Sequence, residues 1–297
     1  FLISGCGSAG RSVAQVLTQD GRGQVAALVD PQTHQRQEQQ EHYPAAAAGS
    51  DFAEILDGTR PDAVVVAGPD HLHADQTLLA LEYGCHVLVE KPLTTTVSDA
   101  HRVIEASERA ERHVMTDHTM RYMHPWQSMA QAAREGQIGD IFFIQGDYIH
   151  DMWSYYAAEG STHTPWRADQ IHPQNILLGG CCHPIDLILW TIESPVEELF
   201  AYANKMTVPE FPDNDCYILS LRFQNGALGK VFVSNGWVTS LFPPGKASPQ
   251  GAGVVLRNIC MAHVAAYKAM KAAAMKAMKF VNTKAKKAAK GPAKAMK

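Results

Sequence analysis

Leu2-Ile3-Ser4-Gly5-Cys6-Gly7-Ser8-Ala9-Gly10 decides how the chain is read. A short apolar run ends in a G-x-G-x-x-G spacing, and Val13, Val16 and Leu17 then recur on one helical face, so a strand turns directly into a helix. In such a junction Gly5 makes the tight turn, Gly7 lets backbone approach a pyrophosphate, and Gly10 allows close helix-strand packing. Ser8 and Ala9 open a helix whose unpaired amides and positive dipole end suit an anion. A merely flexible glycine-rich turn is the alternative, and the flanking strand and helix weigh against it.

Outward from this motif the pattern repeats. Val25-Ala26-Ala27-Leu28-Val29 reads as the second strand, a polar helix rich in Gln and Glu follows, and Ala63-Val64-Val65-Val66-Ala67 and His86-Val87-Leu88-Val89-Glu90 are further strands, with a helix around Thr77 to Tyr83. Continuous apolar strands alternating with helices predict a parallel sheet covered on both faces. Asp30 closes the second strand, where a carboxylate accepts hydrogen bonds from the adenosine ribose hydroxyls. A 2′-phosphate there would face that carboxylate, and no Arg occurs until Arg36, so NAD is predicted over NADP. The alternative role for Asp30 is a helix cap, because Asp30-Pro31 also suits a turn before a helix.

From about Met120 the pattern changes. Ile141-Phe142-Phe143-Ile144 starts a strand region, a polar loop spans roughly 151–175, and a helix is predicted over Pro184 to Ile192. Two period-2 runs, Tyr217 to Phe223 and Leu228 to Ser234, flank Gln224-Asn225-Gly226, a hairpin signal. The predicted architecture is α/β: a doubly wound Rossmann domain over residues 1–119, then a second α/β domain with an open, mostly antiparallel sheet over 120–244. Residues 245–297 are Ala, Lys and Met in irregular repeats, read as a low-complexity tail from a wrong reading frame, an incomplete gene or an appended segment. The chain opens on Phe1 inside a strand, so its natural start is expected to be missing.

Charge is uneven along these 297 residues. All 30 acidic residues lie within 1–215 with 12 basic ones, and the other 14 basic residues follow. The basic tail resembles linker-histone arms in composition, yet nucleic acid is not expected as a partner. No apolar run is long enough for a membrane span. Six cysteines without C-x-x-C spacing predict reduced thiols and a cytoplasmic setting. No metal site is predicted: Cys181-Cys182-His183 lacks usual zinc spacing, and His150, Asp151, His163 and His172 read as solvated loop residues.

Glu90-Lys91-Pro92 ends a strand at the carboxyl edge of the parallel sheet, where ligands of such sheets bind. Lysine there can hydrogen-bond a reacting hydroxyl and stabilise a developing alkoxide. Arg121 offers a fork of donors to substrate oxygens, and Trp166-Arg167 pairs such a fork with a face for sugar stacking; a purely structural role is the alternative for each.

Gly5 to Gly10, the Pro69 to His73 turn, Gly84 to Pro92 with its Glu90-Lys91-Pro92 core, and Gly180-Cys181-Cys182-His183-Pro184-Ile185-Asp186-Leu187 resemble the successive signatures of the Gfo/Idh/MocA oxidoreductases. The resemblance covers about residues 1–240. It implies NAD-dependent hydride transfer at a hydroxyl or carbonyl carbon of a sugar, cyclitol or related polyol, in a homo-oligomer built on the open sheet. It also implies that Lys91 and His183 are catalytic and that Pro69, His73, Glu90 and Lys91 join the cofactor site; Asp186, three residues after His183, is placed with the substrate residues and read as a buried or capping partner rather than a second base. An imidazole with a pKa near 6.5 can take the hydroxyl proton at neutral pH. Where the family commonly has an Asp four residues before the histidine, this chain has Gly179. That departure fits a branch that relies on Lys91 and His183 alone, one whose carboxylate comes from elsewhere, such as Asp169 or Asp147, or a nucleotide-binding regulator without turnover; an NAD-using glycosidase of the same fold is a further alternative.

Overall fold

The computed structural model describes residues 1–235 except 20, 151, 159, 161, 162, 206–210 and 212. The tail over 245–297, Asp151 and Cys260 lie outside the described residues. In chain order the first half runs β1 (Leu2–Ser4), α1 (Ser8–Gln19), β2 (Ala27–Val29), α2 (Thr33–His42), β3 (Ala47–Gly49), α3 (Phe52–Thr59) and β4 (Ala63–Val66). A 3-10 turn (Asp70–Leu72) leads into α4 (His73–Glu82), then β5 (His86–Glu90), α5 (Val97–Ala110) and β6 (Val114–Asp117). Every pairing is parallel and the order is β3-β2-β1-β4-β5-β6. The order reverses between β1 and β4, and the glycine-rich turn opens beside that switch point, where dinucleotides bind in such sheets.

The strands form because Leu2, Leu28, Val64, Val66 and Val89 are buried under helices on both faces, as continuous apolar runs require. Helices are capped locally: Asp51 accepts from the Glu54 amide at 2.9 Å, and Thr96 from the Asp99 amide at 3.0 Å. The second strand is shorter than its apolar run, starting at Ala27. Strand β3, Ala-Ala-Gly, escaped sequence reading because it has no β-branched residue. Helix α4 starts at His73 rather than near Thr77, since the 3-10 turn feeds straight into it.

The second half adds a 3-10 turn (Thr119–Tyr122), α6 (His124–Arg134), β7 (Phe143–Ile149), α7 (Trp153–Tyr156), another 3-10 turn (Pro165–Ala168), a π-helical turn (Leu177–Cys181), α8 (Cys182–Ile192), β8 (Val196–Asn204), β9 (Cys216–Phe223) and β10 (Leu228–Ser234). Its sheet runs β7-β10-β9-β8, antiparallel except for β7 with β10. The predicted hairpin is β9–β10, with Gly226 at φ +87°. Helix α8 begins at Cys182, two residues before the sequence expectation. The region 151–175 carries α7 and a 3-10 turn rather than loop alone. Strand β8, Val-Glu-Glu-Leu-Phe-Ala-Tyr-Ala-Asn, went unread because it is exposed at every residue and so lacks a buried face to impose alternation. Behind the sheet, Ile176, Cys181, Ile188, Phe211, Leu219, Phe223, Val231 and Val233 form one core. Gly146 on β7 lets α8 settle closely, since a Cβ there would lie 2.9 Å from Pro184 Cβ.

Candidate functional site

The glycine-rich turn is shaped by contacts that only glycine permits. Gly5 sits at φ +95°, and a Cβ on it would fall 2.5 Å from the Ala67 carbonyl; a Cβ on Gly10 would fall 1.9 Å from Gly5 O. Gly7, by contrast, faces open space, with nothing within 4 Å of its Cβ position. Asp30 is 8% exposed and reaches back to the turn: its Oδ2 accepts from the Cys6 amide at 2.8 Å and its Oδ1 from the Gln32 amide at 2.8 Å. Gln32 stands at the N-cap position of α2 without a side-chain cap, and Asp30 lies two residues before it. Arg36 curls onto the Asp30 carbonyl and donates to Thr33 Oγ1 at 3.1 Å, nearer this corner than its place in the sequence suggested. An open notch at Gly7, the amides of Ser8 and Ala9 at the start of α1, and a carboxylate at the end of β2 fit a dinucleotide's pyrophosphate and ribose.

At the ends of β4 and β5 a second set of groups meets. His73 is fully buried, with Nδ1 2.6 Å from Pro92 O and Nε2 3.1 Å from Gly68 O. Both ring nitrogens thus face backbone carbonyls, and His73 lies between the turn after β4 and the cis Lys91-Pro92 bond. Pro69 caps the 3-10 turn beside it. Glu90 stands opposite Asp117 in the β5–β6 register, and burial raises the pKa of both carboxyls. Lys91 projects toward the second half and donates from Nζ to Gly179 O at 3.3 Å.

His183 lies in the first turn of α8, 8% exposed, with Nδ1 buried and unpartnered among the described residues. Burial foremost, then the cations of Lys91 and His118, push its pKa down to about 4. The ring is therefore neutral at neutral pH and, in this cleft, a weaker base than a free imidazole. Tyr148 lies beside it with ring centroids 5.5 Å apart. Linkage gives a sign to test. An unfolded His183 charges below its ordinary value of about 6.5 while the folded one resists until about 4, so the unfolded chain binds more protons in that window. Stability falls as pH drops from 6.5 toward 4, by up to about 1.4 kcal/mol per pH unit from this residue. Thermal melts of the unsubstituted and His183→Gln chains check this: the substituted chain should lose less stability over the same window.

The predicted substrate residues divide. Arg121 forms a two-pronged ion pair with Asp186, Nε to Oδ2 at 2.7 Å and Nη2 to Oδ1 at 2.5 Å, so these two satisfy each other. Trp166 and Arg167 stack on one another at 4.6 Å, and Arg167 turns its guanidinium to Gln174. His118, Asp117, Tyr148 and Gln174 were not singled out from sequence. Applying the strand-end rule to β6 as well as to β5 points to Asp117-His118. His118 Nδ1 lies 3.8 Å from Asp186 Oδ2, and burial lowers its pKa. Among the described residues no group of three or more His, Cys, Asp or Glu side chains is arranged to hold a metal ion.

Two family models match successive parts of the chain: "Oxidoreductase family, NAD-binding Rossmann fold" over residues 1–118 and "GFO/IDH/MocA C-terminal domain" over 126–240. The chain belongs to the GFO/IDH/MocA oxidoreductase family. Among its relatives, inositol 2-dehydrogenase 2 of Saccharopolyspora erythraea is 28% identical over 79% of this chain and 67% of its own length. The 1-carboxy-3-chloro-3,4-dihydroxycyclohexa-1,5-diene dehydrogenase of Comamonas testosteroni is 23% identical over 80% of this chain and 61% of its own length. The crystal structure of the WlbA dehydrogenase from Bordetella pertussis, in complex with NADH and UDP-GlcNAcA, shares the fold with a TM-score of 0.72 and 22% identity, over 80% of this chain and 67% of that one. The chain spans between about a third and two thirds of the length of the curated relatives it matches.

Proposed function

We propose that this GFO/IDH/MocA chain is an NAD-dependent dehydrogenase acting on a CH–OH carbon of a sugar, cyclitol or related polyol. The observation that carries the reading is the convergence of Lys91, at the carboxyl end of β5, with the turn that leads into His183, on the sheet edge that also presents the glycine-rich turn. NAD, when bound, supplies a nicotinamide ring that accepts or returns a hydride. Lys91 then hydrogen-bonds the reacting oxygen and stabilises negative charge on it, and neutral His183 takes the hydroxyl proton. The names of the inositol and cyclohexadiene dehydrogenases support a polyol-like substrate. Absorbance at 340 nm with a panel of polyols and sugars tests the reading. NADH formation is the expected result; release of a chromophore from aryl glycosides without net NADH would favour the glycosidase alternative instead.

The cofactor corner yields a further expected result. NAD should bind at least about tenfold more tightly than NADP, because the Asp30 carboxylate accepts ribose hydroxyls and repels a 2′-phosphate. Asp30→Ala should narrow the gap, with Arg36 left beside the vacated place. Calorimetric titration with both nucleotides checks this, and equal affinities in the unsubstituted chain sink it.

The same reading includes a Rossmann domain over 1–119, a substrate domain over 120–244 and a low-complexity sequence tail over 245–297, which lies outside the described residues. Leu199, Phe200 and Tyr202, exposed on β8, support homo-oligomer formation through the second sheet. Free thiols at Cys6, Cys85, Cys181, Cys182 and Cys216 support a reducing, cytoplasmic setting.

A further inference from the structure

Gln174 is 4% exposed and joins both sides of the cleft. Its Nε2 donates to Asp70 Oδ2 at 3.0 Å, across from the turn after β4. Its Oε1 accepts from Tyr156 OH at 3.3 Å and from Arg167 Nη1. Its own amide donates to Arg167 O at 3.0 Å, which fixes the backbone as well as the side chain. The side chain lies flat against Gly179: a Cβ on that glycine would meet Gln174 Nε2 at 2.8 Å, Cδ at 2.9 Å and Cγ at 3.2 Å. Gly179 is the residue whose carbonyl receives the Lys91 ammonium.

We propose that Gln174 is a positioning residue that sets Lys91, through Gly179, in its working place. The proposal rests on the dehydrogenase reading for its kinetic consequence, and on contacts alone for its structural one. A primary amide suits the place because it is donor and acceptor at once. Its NH₂ faces a buried carboxylate, Asp70, while its oxygen faces two donors, Arg167 and Tyr156. Asp70 is 7% exposed and belongs to the Rossmann half, so the amide pins the second half's π-helical turn to the sheet edge that carries Lys91. Removing one member of such a buried network leaves its partners unsatisfied, and the Gly179 carbonyl then loses the surface that holds its direction. A larger residue at 179 would have to displace the Gln174 amide, and with it the hydrogen bonds that amide makes.

Gln174→Met keeps the length of the side chain and removes its hydrogen bonds. In that chain kcat should fall by about tenfold or more, with KM and NADH affinity changed less than about threefold. Lys91, freed from its tie, should be acylated by a small amine-reactive reagent about threefold faster or more, read by mass spectrometry of the Lys91 peptide after timed labelling of the intact chain and digestion. Gln174→Glu keeps the acceptor for Arg167 and Tyr156 but sets a second carboxylate against Asp70. Its rate relative to the unsubstituted chain should rise as pH falls from about 8 to 6, because the introduced carboxyl, once protonated, again donates to Asp70. A purely structural role would lower melting temperature without this pH dependence. Unchanged kcat and unchanged Lys91 acylation in Gln174→Met, or a flat rate ratio in Gln174→Glu, overturns the assignment. If the unsubstituted chain binds NADH but turns over nothing in the panel, the dehydrogenase reading fails, and the acylation rates alone decide whether Gln174 holds Lys91.

Discussion

Alanine at Lys91 or at His183 is expected to lower kcat by on the order of 10²–10⁴ while leaving NADH affinity within a few fold. The two groups act on a proton and a negative charge that develop during reaction, so their loss is felt in the transition state rather than in cofactor binding. Lys91 Nζ donates to Gly179 O, an uncharged acceptor, and keeps further N–H groups for a reacting oxygen. His183, neutral and with Nδ1 unsatisfied, has a nitrogen free for a proton. His183→Gln separates the roles: a glutamine can orient a hydroxyl but cannot take its proton, so it should be nearly as slow as alanine. Steady-state rates at 340 nm with the best polyol of the panel, paired with NADH fluorescence titration, read both quantities. Loss of NADH binding in step with kcat would show that the residues support the fold instead.

The parallel half was legible because its rules are local. Strands β1, β2 and β4 are apolar runs buried almost throughout, β5 keeps an apolar centre between His86 and Glu90, and the glycine spacing at Gly5, Gly7 and Gly10 states the loop geometry outright. The motifs around Lys91 and His183 pointed to these two residues, and the structure places Lys91 Nζ against the turn that leads into His183. What was not legible is partnership. The sequence suggests a buried partner role for Asp186 and a substrate role for Arg121, but not that the two lie opposite each other and form an ion pair. Nor does it show that both nitrogens of His73 meet carbonyls, one of them belonging to Pro92. Gln174 carries no catalytic chemistry of its own and sits in a polar stretch, so only its buried contacts with Asp70 and Gly179 reveal it. Strand β8 was missed for the related reason that its partner faces are open, and a pattern written by burial is absent where burial is absent.

Gly10→Ala and Gly7→Ala should fail in different ways, and the difference tests the cradle itself. A methyl on Gly10 would occupy a point 1.9 Å from Gly5 O and 3.1 Å from Ile3 Cγ2, so relief requires moving backbone. That backbone cannot yield easily, since Gly5 is itself wedged against the Ala67 carbonyl at φ +95° and donates its amide to Val29 O at 2.8 Å. Overpacking of this kind costs about 1–3 kcal/mol or more, enough to lower the melting temperature by about 5 °C. With the loop displaced, NADH affinity should fall by about 100-fold or more, equivalent to about 2.7 kcal/mol. A methyl on Gly7 meets nothing within 4 Å, so Gly7→Ala should melt with the unsubstituted chain. Its methyl would nevertheless stand where backbone approaches the pyrophosphate, so affinity should drop by about tenfold or more without loss of fold. Differential scanning fluorimetry and NADH titration on both chains resolve the two effects. If Gly7→Ala binds NADH as tightly as the unsubstituted chain, the dinucleotide does not lie in this notch, and the site must be sought elsewhere along the sheet edge.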